Sequence, residues 1–442
     1  MSPGNSTQAT VENAVDFTMT DFRIAQIVRK KMRTTKREVA AASHLSGVAR
    51  SVSKLVDAKI VTAHEPDASA WKRLVGAAGS VRRGRPEHWL TLSRDLGFLI
   101  GVDIAHQGVA VTITRAEFGK VLKEPRRVQV KNLDDNPEKA FDTAAELIVE
   151  VFEEARDLAG AEPDQVIGIG VGLPAPVSRE TKTISPEMHI LSAWSSYEPE
   201  QELAKRLAGL LPKVPIEVDN DASLGALGVY SWETLSSDPA MAPRDLLYVR
   251  VGDGIGAGVV IKGKLVGGGS GFAGEIGHVK VDERGHFCPR CGQRGCVETK
   301  ASEGSVLAEL APTVFDKAPA EVTIADILGR DHPACNRSLY EAGWSLGIAL
   351  AHARTLLDPR RIYIGGEMAS ARYFMLGVAQ GIVNNSLSLA IRSKELVVSS
   401  PSSLPEERSD LRSPELLGAI AIALHRCGDR YIERKIGLNR AV

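Results

Sequence analysis

Gly271-Phe-Ala-Gly-Glu-Ile-Gly-His278, then nine residues, then Cys288-Pro-Arg-Cys-Gly-Gln-Arg-Gly-Cys296-Val-Glu298, is the stretch on which the reading of this chain turns. It brings one imidazole and three thiols together with the spacing C-x2-C-x4-C. Zinc takes Cys3His as a tetrahedral set, and four protein ligands leave no open position for a catalytic water. The pattern therefore predicts one structural Zn2+ per chain, held by His278, Cys288, Cys291 and Cys296. A redox pair is the competing use of neighbouring thiols, but three of them with Gly292 and Gly295 in the turns favour metal. Three of the five cysteines fall within nine residues, which suits a metal site in a reducing compartment better than a disulfide framework.

The residues before this stretch alternate strand and helix. Gly97 to Asp103, Val109 to Thr114 and Lys120 to Val130 read as three strands. Residues 137 to 158 then read as a helix with Phe141, Ala145, Leu147, Ile148, Val151 and Phe152 inward. A strand from Val166 to Val171 runs into Gly172-Leu-Pro-Ala-Pro176, and another from Leu246 to Val251 runs into Gly252-Asp-Gly-Ile-Gly-Ala-Gly258. The alternation resumes through Arg361 to Gly366. Two comparable blocks predict a duplicated α/β body with a cleft between its lobes. Within it, Glu217-Val-Asp-Asn-Asp221 is a strand that ends in an amide and a carboxylate at a helix N-terminus. Asp is among the best helix caps, and a carboxylate at a strand end facing a cleft also takes a proton from a hydroxyl; the two uses are compatible.

The N-terminal part is different in kind. Three short helical patterns run from Asp21 to Ile60: Ile24, Ile27, Val28 and Met32 share one face of the first, and the second spans about Lys36 to Ser43. The third places Val48, Val52, Leu55 and Val56 on one side and Arg50, Ser53 and Lys54 on the other. That is the pattern of a helix-turn-helix, in which an apolar stripe docks the recognition helix and its polar residues reach bases and phosphates. Arg82-Arg-Gly-Arg-Pro86, followed by the strand-like Trp89 to Leu92, reads as a wing whose Arg82, Arg83 and Arg85 lie along phosphates or the minor groove. A basic inter-domain linker is the plainer alternative.

Charge follows the same division. Residues 21 to 90 hold 15 Lys and Arg against 6 Asp and Glu, whereas the chain as a whole is at −1 and the part from Thr91 onward at −8. A basic head on an acidic body fits a protein whose first segment meets a polyanion. At 442 residues the chain is too long for one ordinary core. Its first seventeen residues lack the basic start and apolar stretch of a secretion signal, and the apolar run from Trp344 to Leu357 is too short and too polar to span a bilayer. The expectation is a cytoplasmic, nucleoid-associated protein with no membrane partner.

On the Ala273-to-His278 run and the cysteine knuckle, the chain resembles the ROK family of repressors and sugar kinases, in its transcriptional-regulator branch with an N-terminal winged helix-turn-helix. The resemblance runs from about residue 20 to the C-terminus. It implies an α/β fold: a winged helix-turn-helix followed by a two-lobed actin/hexokinase-like (ribonuclease H-like) ATPase fold. The expected division is an arm at 1–17, the head at 18–92, a first lobe at 95–219, a second lobe with the zinc knuckle at 220–410, and a C-terminal helix at 411–442 packing back on the first lobe. It also implies sugar contacts at Asn220, Asp221, Glu275, His278 and Glu298, with Asp221 at the position of the kinases' base. Implied partners are a double-stranded DNA operator, a small sugar or amino-sugar effector, and a second copy in a dimer or dimer of dimers.

Two departures from the family's kinases bear on catalysis. Their bodies begin with an Asp followed by a Gly-Gly-Thr-type turn that lets backbone approach the ATP phosphates; here Asp103 is followed by Ile104-Ala-His-Gln107. The second glycine loop carries Asp253 where those kinases have Thr, and a fixed negative charge there repels a γ-phosphate. The expectation is a sugar-responsive regulator, Asp221 being a vestigial base; a DNA-binding sugar kinase is the alternative. A further departure is the knuckle itself, with Pro289-Arg290 where one residue is usual.

Overall fold

The computed structural model describes residues 17–65, 88–106, 108–117, 121–130, 133–178, 181, 183–184, 192–195, 197–236, 243–386, 397–399 and 413–438. In the head, α1 (Met19–Lys31) starts at a capping box in which Thr18 and Asp21 satisfy each other's backbone N–H groups. A two-residue strand, β1 (Thr34–Thr35), leads through a second capping box, Thr35 with Glu38, into α2 (Lys36–Ser43). The third helix, α3 (Val48–Asp57), buries Val48, Val52 and Leu55 against α1, while Arg50 and Ser53 are exposed. Strands β2 (Val61–His64) and β3 (Trp89–Leu92) pair antiparallel, and β1 joins the far side of β3. Three helices with a small antiparallel sheet make the winged-helix arrangement. The proposed wing arginines Arg82, Arg83 and Arg85 lie outside the described residues, as does most of the N-terminal arm.

Lys54 lies on the polar side of α3, 29% exposed, and also reaches back to α1. Its ammonium is 3.2 Å from the buried carboxylate of Asp21 and lies over the ring of Phe17, so it ties α3 to the start of α1.

The body repeats one sheet twice. In the first lobe β4 (Phe98–Ala105), β5 (Gly108–Arg115) and β6 (Arg126–Gln129) run antiparallel in sequence. After α4 (Pro137–Ala159) comes β7 (Val166–Leu173), parallel to β4; after α5 (Pro199–Leu207) comes β8 (Ile216–Asn220), parallel to β7. The order is β6-β5-β4-β7-β8. A helix, α6 (Asp221–Ser236), crosses to the second lobe, where β9 (Leu246–Val251), β10 (Ile255–Ile261) and β11 (Lys264–Val266) again run antiparallel. The helices α7 (Glu298–Ala301), α8 (Glu303–Leu310), α9 (Ile324–Leu328) and α10 (Pro333–Leu357) follow. Then β12 (Arg361–Gly365) joins parallel to β9 and, after α11 (Arg372–Asn385), β13 (Val397–Ser399) joins parallel to β12. The order β11-β10-β9-β12-β13 matches the first sheet strand for strand. This duplication is the two-lobed actin/hexokinase-like architecture.

The expected strand from Lys120 to Val130 is shorter than its composition suggests. Only Arg126–Gln129 pairs with β5, and Val121 makes an isolated bridge to Thr114. Pro125 has no N–H to give the ladder, and all four residues of β6 are exposed, so neither hydrogen bonding nor burial extends the edge.

The last helix, α12 (Pro414–Lys435), packs on β4, β7, α6 and α1. It approaches α6 so closely that a Cβ on Gly418 would overlap the carbonyl of Leu224, and one on Gly228 the carbonyl of Pro414. Glycine at these two positions lets the helices touch backbone to backbone. At the other end Arg29 of α1, only 2% exposed, donates to Asp429 at 2.6 Å and to the carbonyls of Leu424 and His425 at 3.2 and 2.7 Å. Gln26 adds a bond to Asp429 at 3.0 Å. Burial and then the Arg29 charge hold the neighbouring His425 imidazole down at about 4. The head is thus docked on the body through a buried, charge-assisted cluster rather than by the connecting segment alone. No helix among the described residues is long and apolar enough to cross a membrane.

Candidate functional site

The carboxyl ends of strands from both lobes converge on one cleft, the place where open α/β sheets ordinarily bind ligands. It encloses about 450 Å3 of empty space, mouth included, and all five expected sugar contacts, Asn220, Asp221, Glu275, His278 and Glu298, line it. Their present bonding differs. Asn220 caps α6, accepting from the N–H of Ser223 at 3.0 Å and donating to the carbonyl of Ala175 at 3.2 Å. Asp221 accepts from the N–H of Ala222 at 2.6 Å and from Arg250 at 2.8 Å. Glu298 accepts from the N–H of Ile255 at 2.8 Å with one oxygen and is ion-paired through the other to Nε of Arg290 at 3.0 Å, so both its oxygens are engaged by the protein. Glu275 has the most unused capacity: its carboxylate comes within 3.9 Å of His278 and makes no hydrogen bond among the described residues. Burial, then repulsion from Asp221 and Glu298, pushes Glu275 up to about 7.

Four residues in or beside the cleft carried no signal that sequence reasoning used as a contact. Arg250, at the end of β9, pairs with Asp221 and lies 3.5 Å from Glu415 at the start of α12; Glu415 also accepts from the hydroxyl of Tyr248 at 2.6 Å. Burial works against the Arg250 charge, but Asp221, Asp103 and Glu415 outweigh it and hold the guanidinium protonated. His106 fills the turn after β4, its Nδ1 2.7 Å from Asp134. Arg290, the additional residue of the longer knuckle, reaches into the cleft. Glu415 is remote in sequence and became visible only through the fold.

Asp103 sits under this network with Oδ1 buried and unpartnered among the described residues. Burial pushes its carboxyl up to about 7, Glu415 and Asp221 adding to the shift and Arg250 opposing it. A carboxyl whose folded-state value lies above its ordinary 3.8 gives a stabilising contribution that is complete at low pH and is lost as pH rises through about 7. The chain is therefore expected to melt at lower temperature at pH 8 than at pH 6, and Asp103→Asn to flatten that difference. Melting curves of the two proteins at both pH values check it; an equal fall in both would contradict the assignment.

His278, Cys288, Cys291 and Cys296 present ligand atoms that all lie within 4.8 Å of one another. Nδ1 of His278 is 3.7 Å from Sγ of Cys288, and the sulfurs of Cys291 and Cys296 are 3.5 Å apart. A tetrahedron with Zn–S bonds of about 2.3 Å has edges near 3.8 Å, so the four positions fit a metal ion of that size. The knuckle is built for it: the N–H of Cys288 bonds the carbonyl of Gln293 at 2.7 Å, and bridges Lys280 to Cys296 and Phe287 to Arg294 close the loop. Cys288 belongs to the cluster despite the longer spacer. Burial and the neighbouring thiols push Cys296 up to about 12, which a bound cation would reverse. With Nδ1 turned to the sulfurs, Nε2 of His278 faces Glu275 and the cleft.

Acidic groups gather on one side of the second glycine loop, opposite Arg290. Glu303 donates its N–H to the carbonyl of Gly252, and burial, then Glu367 and Asp253, push its carboxyl up to about 7.

With this geometry established, comparison with known proteins places the chain. The profile of the ROK family matches residues 99–421. The chain belongs to the ROK family. The chain is similar to the xylose repressor of Caldicellulosiruptor bescii, 25% identical over 329 residues that cover 71% of this chain and 76% of that one. A solved ROK family transcriptional regulator, described as a homologue of the E. coli Mlc protein, superposes over 95% of this chain and all of its own, with TM-score 0.67 and 20% identity. A ROK glucokinase from Streptomyces griseus, solved with glucose and AMPPNP, covers 74% of this chain and 99% of its own, with TM-score 0.57 and 21% identity. These two show likeness of fold. The regulator shares head and body with this chain, and the kinase shares a portion of about the body's size.

Proposed function

We propose that this ROK protein is a DNA-binding transcriptional regulator, a repressor in its usual action, that senses a carbohydrate in its cleft and does not phosphorylate it. The observation that carries the reading is the path of α12. Near its start Glu415 touches the Arg250–Asp221 pair of the cleft, and fourteen residues on, about 21 Å along the helix, Asp429 holds Arg29 of the head. Between them Arg426 bonds Glu217 and Asp219 of β8, the strand that delivers Asn220 and Asp221. A sugar that rearranges the cleft thereby acts on the element that fixes the head.

In this account Glu275, His278, Asn220 and Asp221 take the ring hydroxyls, and Glu298 joins them when Arg290 moves. Zinc at the Cys3His centre orients His278 and supplies structure rather than chemistry. The head reads its operator with Arg50 and Ser53 of α3 and with the wing arginines, as a dimer or dimer of dimers that spaces two heads over two half-sites, in the cytoplasm beside the nucleoid. Three features argue against phosphoryl transfer. His106 and its Asp134 partner fill the turn where kinase backbone meets phosphate; Arg250 already occupies the carboxylate at the base position; and Asp253 stands in the second glycine loop where the family's kinases carry Thr.

The test pairs binding with turnover. Genomic fragments selected by the full-length chain are labelled and titrated by fluorescence anisotropy with and without a sugar panel, and the same sugars are incubated with ATP and Mg2+. One sugar is expected to change DNA affinity by about tenfold or more, corresponding to about 1.4 kcal/mol of coupling, with no sugar phosphate formed. Rapid sugar-phosphate formation would instead establish the DNA-binding kinase, which the retained Asp221 and glycines keep as the second reading.

A further inference from the structure

The longer spacer between Cys288 and Cys291 has a structural consequence. Arg290 turns away from the sulfurs and enters the cleft, where its Nε is held 3.0 Å from Glu298. One donor of its five-donor fork is thus used for orientation. Its Nη1 ends 3.4 Å from Nε2 of His106, which belongs to the opposite lobe and whose own Nδ1 is fixed 2.7 Å from Asp134. Two nitrogen-bearing groups therefore face each other across the cleft, each positioned from behind by a carboxylate. No carboxylate oxygen bonds Nη1 among the described residues.

Room for this arrangement is specific. A Cβ on Gly254 would come within 2.6 Å of Nη1 of Arg290 and 2.9 Å of Oε2 of Glu298, so a larger residue there would push the guanidinium from this position. Arg250 adds a second guanidinium to the same cleft wall, 24% exposed and paired with Asp221. A neutral pyranose needs none of this; carboxylates and amides suffice for hydroxyls. An anionic substituent does, because a planar fork, and an imidazole that takes up a proton at Nε2 as the anion displaces the long Arg290–His106 contact, hold carboxylate or phosphate oxygens with charge-assisted bonds.

We propose that Arg290 and His106 form an anion subsite across the cleft, so that the effector is a sugar bearing a carboxylate or a phosphate. The inference rests on the carbohydrate-sensing reading above and narrows it to a ligand class. Occupying the subsite would draw the two lobes onto one charged group, giving the ligand a direct hold on lobe closure.

Calorimetry on the full-length, zinc-loaded chain compares neutral hexoses with the matching uronates and 6-phosphates, inorganic phosphate serving as a competitor. At least one anionic sugar is expected to bind about tenfold or more tighter than its neutral parent, and Arg290→Gln to abolish that preference by weakening the anionic sugar far more than the neutral one. His106→Asn should act in the same direction, with zinc content unchanged in both variants. The uronate and phosphate arms identify which anion is taken. Neutral sugars binding as tightly as every charged counterpart would overturn the subsite while leaving carbohydrate sensing intact. So would Arg290→Gln weakening both classes alike, since that is the behaviour of a strut. Failure of any carbohydrate to bind would overturn both.

Discussion

Replacing Arg29 by leucine is expected to separate the head from the body thermally and functionally. The side chain is 2% exposed and makes three polar contacts with α12. Removing one partner of a buried pair costs about 3–5 kcal/mol when the other is left uncompensated. Asp429 is 29% exposed and regains water, so the lower end, about 3 kcal/mol, is the better expectation. The loss falls on the docking surface, because α1 keeps its own capping box and its apolar packing against α3. Differential scanning calorimetry should therefore resolve two transitions where the unaltered chain shows one. Anisotropy should find DNA binding retained but indifferent to the effector. A single transition at the original temperature, with the effector response preserved, would mean that α12 does not carry the coupling.

Withdrawing the metal is expected to have an effect at least as large. The loop from Glu275 to Glu298 contains three of the five expected sugar contacts, and the four Cys3His positions tie its two ends together. Buried thiols that repel one another when ionised do not hold such a loop by themselves. Apparent binding energies of structural zinc sites are about 10–16 kcal/mol in small peptides; the well-packed second lobe will depend on the metal less. A fall in melting temperature on the order of 10 °C on chelation, together with loss of sugar binding, is the expected outcome. Cys288→Ser should reproduce it in part and lower the zinc content below one per chain. Chelated protein that melts and binds sugar unchanged would remove the metal from the account.

The parts of the molecule that could be read in advance share a physical trait: their determinants are local. The apolar stripe Val48-Val52-Leu55 needs only helical periodicity, and the Cys cluster needs only spacing. The central strands of each lobe show as near-continuous apolar runs closed by glycine-marked turns. What escaped was set by distant chain. Arg250 in isolation is an arginine on a strand; its meaning comes from Asp221, twenty-nine positions earlier, and Glu415, far later, meeting at one point. The second knuckle residue could be seen as an insertion, but the direction of Arg290 depends on the space above Gly254. Likewise His106 looked like the loss of a small turn, whereas its Asp134 contact makes it a positioned cleft residue. Lys54 adds a long-range element to a locally readable one: helical geometry put it on the polar face, where it is 29% exposed, and the carboxylate of Asp21 gives it a second partner.

All of this depends on the cleft and the head sharing one free energy. Linkage requires that if sugar alters DNA affinity by some factor, bound DNA alters sugar affinity by the same factor. The most direct measurement is the sugar dissociation constant of the full-length chain by calorimetry, taken free and then saturated with its selected DNA. The account predicts a shift of about tenfold or more, equal to the sugar-induced change in DNA affinity. Identical sugar affinity in the two states would contradict it.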